Sequence, residues 1–156
     1  MYFVGDYMVG LDYYDTWYHR APGIHKAAGV IIGVLMILRL LWNALQTKPR
    51  HVGDDKAVVK LMAKSAHYVL YLLVFLMVIS GYLISTAKGQ GVDVFGLFEI
   101  PALLPDDKDR GELAGWLHEW MGLGFILLVG IHALAALLHH FFYKDETLKR
   151  MLKVKK

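Results

Sequence analysis

The sequence predicts an all-α integral membrane helical bundle, formed by a single domain over residues 1–156. Hydrophobic residues make up 56% of the chain and charged residues only 20%, which is too apolar for an ordinary soluble domain. The charged residues also cluster between long apolar runs. A net charge of +3 could indicate nucleic acid. The apolar runs instead assign the basic residues to membrane loops and make membrane lipid the expected surroundings.

Three segments are long enough to span the membrane, because a helix needs about 20 apolar residues to cross a bilayer core. A weaker apolar segment at the start of the chain is too short to cross, and we interpret it as the second half of a helix. The prediction is therefore three full transmembrane helices plus a truncated first helix. The spans are residues 24–45, 66–87 and 116–143, and the partial helix is residues 1–11.

The loops predict an orientation. Basic residues dominate the loop between the first two spans and the tail after Tyr143, whereas the segment from Lys88 to Glu112 is acidic. Because cytoplasmic loops of membrane proteins are enriched in Lys and Arg, the C-terminus is predicted to be cytoplasmic and the acidic loop outside. The chain has no cysteine. This excludes thiolate-bound iron–sulfur clusters and covalently attached haem.

Histidines are the candidate metal ligands. The chain has eight, and four lie in the spans, where ionisable residues default to a functional interpretation: His25, His67, His118 and His132. His118 and His132 are 14 residues apart, which places them on one helix face about 21 Å apart along the axis. Neutral imidazole is a good axial ligand for haem iron, and two imidazoles complete a six-coordinate electron-transfer site.

Depth in the membrane predicts how these ligands pair. His25 and His118 both begin their spans on the outer side, so they are expected to meet across the bundle and hold an outer haem. His132 lies deep, towards the cytoplasm. His67 opens the middle span from that side and is the only intramembrane partner that depth supplies for His132. The pattern predicts two stacked haems with electron transfer between them.

Three glycines share faces with these histidines. Gly29 and Gly33 follow His25 at i+4 and i+8, and Gly122 follows His118 at i+4. A flat porphyrin must approach a helix backbone closely, which small residues permit. Ordinary helix–helix packing through small residues is the alternative interpretation.

Arg39 lies deep in the first full span, where a cation is costly. It lies 14 residues from His25 and hence on the same face, near the inner haem level. A haem propionate or a quinone carbonyl would be a suitable partner, and extension of the side chain to the inner headgroups is the alternative. His139 and His140 adjoin the inner interface. His139 lies seven residues beyond His132, on the same face, where it either lines a quinone pocket or anchors the helix at the interface.

The chain resembles the bacterial cytochrome b561 family of di-haem membrane proteins over essentially its whole length. The matching segments are GIHKAAGVIIGVLMILRLLW, AHYVLYLLVFLMVISGYLIS, WLHEWMGLGFILLVGIHALAALLHHFFYKDETLKRM and the outer YYDTWYHRAP. Within the family, it is most similar to a branch found beside periplasmic lipid-binding proteins. A related branch oxidises superoxide and reduces ubiquinone. The resemblance implies four helices, two b haems, a bacterial inner-membrane location and exchange of electrons with ubiquinone or menaquinone.

Carried over by residue, His25 and His118 match the outer ligand pair, and His132 matches one inner ligand. The family's other inner ligand is a histidine early in the first helix, and no histidine precedes His19 here. Either the chain begins late, or His67 substitutes, or the inner haem is lost. His67 itself matches a family histidine that is thought to lie near the quinone or the haem edge.

The expected function is electron transfer by haem b between an outer donor, such as a periplasmic protein, and membrane quinone. One alternative is a haem-carrying membrane anchor for a larger dehydrogenase or hydrogenase. Another is a small transporter or channel that uses its histidines to move protons, which would be colourless. The sequence leaves open whether the chain acts as a quinone-linked oxidoreductase.

Overall fold

The computed structural model describes residues 1–46 and 57–142 of the chain. Helices account for most of these residues, and two short strands lie between the last two helices. The predicted all-α membrane bundle is confirmed. In chain order, the elements are α1 (Tyr2–Val9), α2 (Arg20–Leu45), α3 (Ala57–Ser85), β1 (Val92–Val94), β2 (Phe98–Ile100) and α4 (Lys108–Phe141).

Three of the described helices are long and apolar enough to cross a bilayer: Arg20–Leu45, Lys64–Ser85 and Lys108–Leu138. Only 6% of the residues in the apolar window of each helix are buried inside the protein, so most of these apolar side chains face lipid. Residues 47–56 of the predicted basic loop, Tyr143 and the basic tail lie outside the described residues. Lys60 and Lys64 of that predicted loop instead belong to α3, which begins at Ala57, before the predicted start of the second span at residue 66.

The bundle is organised around α3 and α4, which share the most extensive helix contact, while α2 packs on α3. Gly33 allows a close approach of α2 and α3, because a Cβ added there would lie 3.0 Å from a methyl carbon of Val78. The short α1 contacts α2 and α4. The end of the bundle where α2 begins and α3 ends carries the strands. We call this end the hairpin face and the opposite end the far face.

The two strands form an antiparallel hairpin inside the segment that the sequence predicted as a plain acidic loop. Phe95 and Gly96 have φ of 54° and 71°, the positive values that a tight hairpin turn requires. Leu97 N donates to Val94 O at 3.0 Å, and Gly96 N donates to the Asp93 carboxylate at 3.0 Å. Val94 is buried and β1 packs on α2, so the hairpin is fixed to the bundle.

Helix α4 begins at Lys108, well before the predicted start at Trp116. The side chain of Asp107 accepts a hydrogen bond from Arg110 N at 2.9 Å, which satisfies one of the free N–H groups of the first turn. Asp109 adds a negative charge in that turn, where the helix dipole favours it. The predicted start was too late because the first turns of α4 carry charged residues and are not part of the apolar run.

Candidate functional site

Two histidines from different helices face each other near the hairpin face. The ring centres of His25 on α2 and His118 on α4 are 6.1 Å apart, and the ring planes are inclined by 72°. Two imidazoles on opposite sides of one metal ion would have ring centres about 6 Å apart, because the metal–nitrogen bond is about 2 Å and the ring centre lies about 1 Å behind the nitrogen. The spacing of this pair therefore fits a metal held between the rings.

A serine on α3 fixes the orientation of the His118 ring. Ser80 Oγ lies 2.9 Å from His118 Nδ1 and within hydrogen-bond distance of two carbonyl oxygens of its own helix, at 2.8 Å for Leu76 and 3.1 Å for Met77. Because the hydroxyl proton goes to a carbonyl oxygen, Ser80 accepts a hydrogen bond from Nδ1–H. Nε2 of His118 is then the nitrogen with a free lone pair for a metal.

The His25 ring lacks such a support. Its Nδ1 is buried, and no described residue provides a hydrogen-bond partner. An unpaired buried polar atom is costly in a folded protein and calls for an explanation. A metal ion bound at this nitrogen would give it a partner.

Glycines from neighbouring helices lie against both rings. A Cβ added at Gly5 of α1 would lie 3.2 Å from His25 Cε1, and one added at Gly81 of α3 would lie 3.3 Å from His118 Cε1. Both distances are tighter than ordinary van der Waals contact. Any larger residue would therefore push on the ring, so the two glycines set the positions of the imidazoles.

A second pair lies towards the far face. The ring centres of His67 on α3 and His132 on α4 are 5.1 Å apart, with ring planes inclined by 65°. His67 is exposed and His132 is half-buried, so this pair is open on one side to lipid. Its spacing is about 1 Å shorter than a metal between two imidazoles requires. The rings would have to separate slightly to share one iron.

A polar cluster that the sequence analysis did not identify lies at the contact of α2 and α3. Arg39 Nε and Asn43 Nδ2 each donate to the hydroxyl oxygen of Tyr71, both at 3.0 Å. The hydroxyl thus accepts two hydrogen bonds and keeps its own proton for another acceptor. Tyr71 follows His67 by four residues, which places both on one face of α3. Arg39 was predicted, whereas Asn43 and Tyr71 emerge only from the packing.

The predicted glycines occupy different surroundings. A Cβ added at Gly29 would meet nothing within 4 Å, and one added at Gly122 would lie 3.5 Å from Met77 Cε. Gly33 contacts Val78, which agrees with the alternative interpretation that this glycine serves helix–helix packing.

Of the two interfacial histidines, His140 packs edge-on against Phe141, with ring centres 5.0 Å apart. The side chain of His139 lies outside what the structure describes.

The donor set itself restricts the choice of metal. Within residues 1–46 and 57–142, no group of three or more His, Cys, Asp or Glu side chains is placed to hold a metal ion. Structural zinc needs four protein ligands and catalytic zinc three. Haem needs only two axial ligands, because the porphyrin supplies the other four nitrogens. The imidazole pairs therefore fit haem.

Comparisons with known proteins agree with this chemistry. The sequence profile of the family described as prokaryotic cytochrome b561 matches residues 1–153. Cytochrome b561 homolog 2 of Escherichia coli (strain K12) is 43% identical over 152 residues, covering 97% of this chain and 81% of that protein. The probable superoxide oxidase CybB of Yersinia pestis is 33% identical over 143 residues, covering 92% and 79%. The chain therefore belongs to the prokaryotic cytochrome b561 family, multi-pass bacterial membrane proteins that transfer electrons by haem b.

Proposed function

We propose that this protein carries electrons across the bacterial inner membrane, between a donor at the hairpin face and a quinone in the membrane near the far face. In this proposal the hairpin face is the outer side and the C-terminus is cytoplasmic. His25 and His118 would hold one haem b, and His132 and His67 would hold a second. The observation that carries the proposal is the 6.1 Å separation of the His25 and His118 rings.

Haem supplies a one-electron carrier whose iron alternates between ferric and ferrous states. The chain's own residues hold and orient that carrier. Ser80 fixes the tautomer of His118 through the 2.9 Å hydrogen bond. Because α4 provides one imidazole to each pair, it connects the two levels of the membrane.

The quinone proposal is supported by the cluster of Arg39, Asn43 and Tyr71. All free hydrogen-bonding groups of the guanidinium are N–H donors, and the Tyr71 hydroxyl has a proton to donate after accepting two hydrogen bonds. A quinone carbonyl oxygen is an acceptor of matching chemistry. His67, one turn away on α3, is a suitable proton carrier for the reduced quinone.

Superoxide is a donor to test first, because a relative that is 33% identical is named as a probable superoxide oxidase. A periplasmic protein is the second donor class to test, and it would have to reach the exposed residues of the hairpin face.

The test is a haem count on the purified full chain expressed with ample haem. We expect two b haems per chain, with His118→Ala and His132→Ala each removing at least one and His19→Ala, an exposed histidine outside both pairs, removing none. Membrane vesicles should then show quinone-dependent oxidation of the reduced cytochrome. A colourless protein, or a chain active only with a stoichiometric dehydrogenase subunit, would contradict the proposal.

A further inference from the structure

A cavity of 710 Å³ opens at the hairpin face, apart from both histidine pairs. One wall is apolar and comes from Met8, Val9 and Leu11, at and beyond the end of α1. Lys26 on α2 and Lys88 after α3 contribute to the other walls. The volume would hold roughly 20 water molecules at liquid density, so the cavity is far larger than a simple ion needs. Its walls fit a ligand with both an apolar part and a negative charge.

The positive charges of Lys26 and Lys88 are not neutralised by ion pairs among the described residues. Among the described residues, the only ion pair is Lys108–Glu112, so neither Lys26 nor Lys88 has a carboxylate at ion-pair distance there. Asp93 also lines the cavity, but its carboxylate accepts the Gly96 N–H at 3.0 and 3.2 Å. The cavity therefore keeps a positive balance that favours an anion.

The cavity lies at the depth of lipid headgroups. Just before α2 enters its apolar span, exposed aromatic residues form an interfacial belt: Tyr13 is 67% exposed, Tyr14 90% and Trp17 46%. Such belts mark the headgroup level of a bilayer. Tyr18 continues this belt into the cavity wall, so the opening faces phospholipid headgroups.

We propose that this cavity binds the phosphate of an anionic phospholipid from the leaflet at the hairpin face. Lys26 and Lys88 hold the phosphate, and the apolar wall contacts the first methylene groups of the acyl chains. Lysines near a membrane surface strengthen attraction to anionic lipid, and here two of them border one open cavity. The bound lipid would hold the end of α1 against α2, one turn beyond the point where Gly5 meets His25.

The test is a lipid titration of the delipidated, haem-containing full chain in detergent. The probes are dioctanoyl phosphatidylglycerol, dioctanoyl phosphatidylcholine and inorganic phosphate, and native mass spectrometry reports the bound lipid. We expect phosphatidylglycerol to bind at least about fivefold more tightly than phosphatidylcholine. Lys26→Gln and Lys88→Gln should each weaken its binding about fivefold, and the double variant about 25-fold.

Two further variants sharpen the result. Lys108→Gln removes a lysine outside the cavity whose exposed ion pair contributes little to stability, and it should leave lipid binding unchanged. Asp93→Asn keeps an oxygen acceptor for Gly96 N but removes the opposing charge, so it should tighten binding of phosphatidylglycerol. The Soret spectrum of each variant reports whether the bundle and its haem remain intact.

The proposal is overturned if phosphatidylcholine binds as tightly as phosphatidylglycerol, or if the double variant binds like the unmodified chain. It is also overturned if inorganic phosphate displaces phosphatidylglycerol at equal concentration, because the apolar wall would then have no role. None of these outcomes bears on the histidine pairs, which are tested by haem content alone.

Discussion

The two histidine pairs differ in how the surrounding protein holds them. At the hairpin face, His118 is hydrogen-bonded to Ser80 and both rings lie against glycines of neighbouring helices. At the far face, the rings of His67 and His132 lie 5.1 Å apart, and His67 is exposed. One pair is thus preorganised by its neighbours, whereas the other is a contact between two helices that lipid can reach.

The hydrogen bond and the glycine contacts at the hairpin face favour tuning of a redox potential there. A hydrogen bond to the outer nitrogen of a ligating imidazole orients the ring and increases its electron donation to the metal. Burial and hydrogen bonding are the levers by which a protein sets the potential of its haem. We therefore expect the centre at the hairpin face to respond sharply to changes in its neighbours, and the centre at the far face to respond mainly to loss of a ligand.

The largest expected effect comes from removing one imidazole of each pair. His25→Ala should abolish the haem at the hairpin face, and His67→Ala should abolish the one at the far face, because each would lose an axial ligand. The haem-to-protein ratio should fall from two to one in both variants, as measured by a pyridine haemochrome assay. A His67→Ala chain that keeps both haems would show that His132 takes its partner from elsewhere.

Replacing Gly81, which lies against the His118 ring, should reduce haem content almost as much as removing a histidine. Gly81→Val would place side-chain atoms against His118 Cε1, which already lies 3.3 Å from the position of a Cβ. We expect most of the haem at the hairpin face to be lost, with the far-face haem retained, in a reduced-minus-oxidised spectrum. The matched control is Gly124→Ala, whose added Cβ meets nothing within 4 Å.

Loss of the serine hydroxyl should shift a potential without emptying a site. In Ser80→Ala, the net loss of one hydrogen bond is about 1 kcal/mol, and a tenfold change in equilibrium, 1.4 kcal/mol, corresponds to about 59 mV for one electron. We expect the midpoint potential of one haem to rise by about 40 mV in a redox titration. Ser85→Ala is the control, because Ser85 Oγ donates to Gly81 O at 2.8 Å. An equal shift in both variants would refute the role of Ser80.

The smallest effect is expected at the polar cluster near the far face. Tyr71→Phe removes the hydroxyl that accepts from Arg39 and Asn43 and that would donate to the quinone carbonyl. Loss of that one donated hydrogen bond corresponds to roughly 0.5–1.5 kcal/mol, a two- to tenfold change. We expect KM for quinone to rise by about that factor while both haem spectra stay unchanged. Tyr68→Phe is the matched control, since Tyr68 is exposed one turn of α3 or less away. Unchanged kinetics in Tyr71→Phe would remove this cluster from the quinone proposal.

The sequence predicted the spanning helices because apolar runs report length and lipid exposure directly. It did not predict the hairpin, whose strands are only three residues long. Gly89 and Gly96, both with positive φ, were the available turn signals in that segment. The early start of α4 was not predicted either. Asp107 and Asp109 are typical of a helix N-terminus, but the spans were assigned from apolar residues alone.

Spacing along one helix identified the imidazoles but not their neighbours. Gly29, Gly33 and Gly122 were predicted from i+4 and i+8 spacing, whereas the glycines that touch the rings are Gly5 and Gly81. A histidine side chain extends away from its own helix, so the backbone that it meets belongs to another helix. Ser80 and Tyr71 were not predicted either, because each is hydrogen-bonded to a side chain of another helix. Residue spacing along a single helix does not contain that information.

Helix α4 fixes the spacing between His118 and His132 along the bundle. Because His118 and His132 lie on one continuous helix, their separation along the axis is set by the rise of that helix, about 1.5 Å per residue. In the proposed function, this separation would also set the distance that an electron travels between two haems. Movement of α2 would disturb one end without changing this length. Insertion of a single residue between the two positions would instead turn one imidazole by about 100° away from its partner. The number of residues between His118 and His132 is therefore less tolerant of change than the identity of most side chains between them.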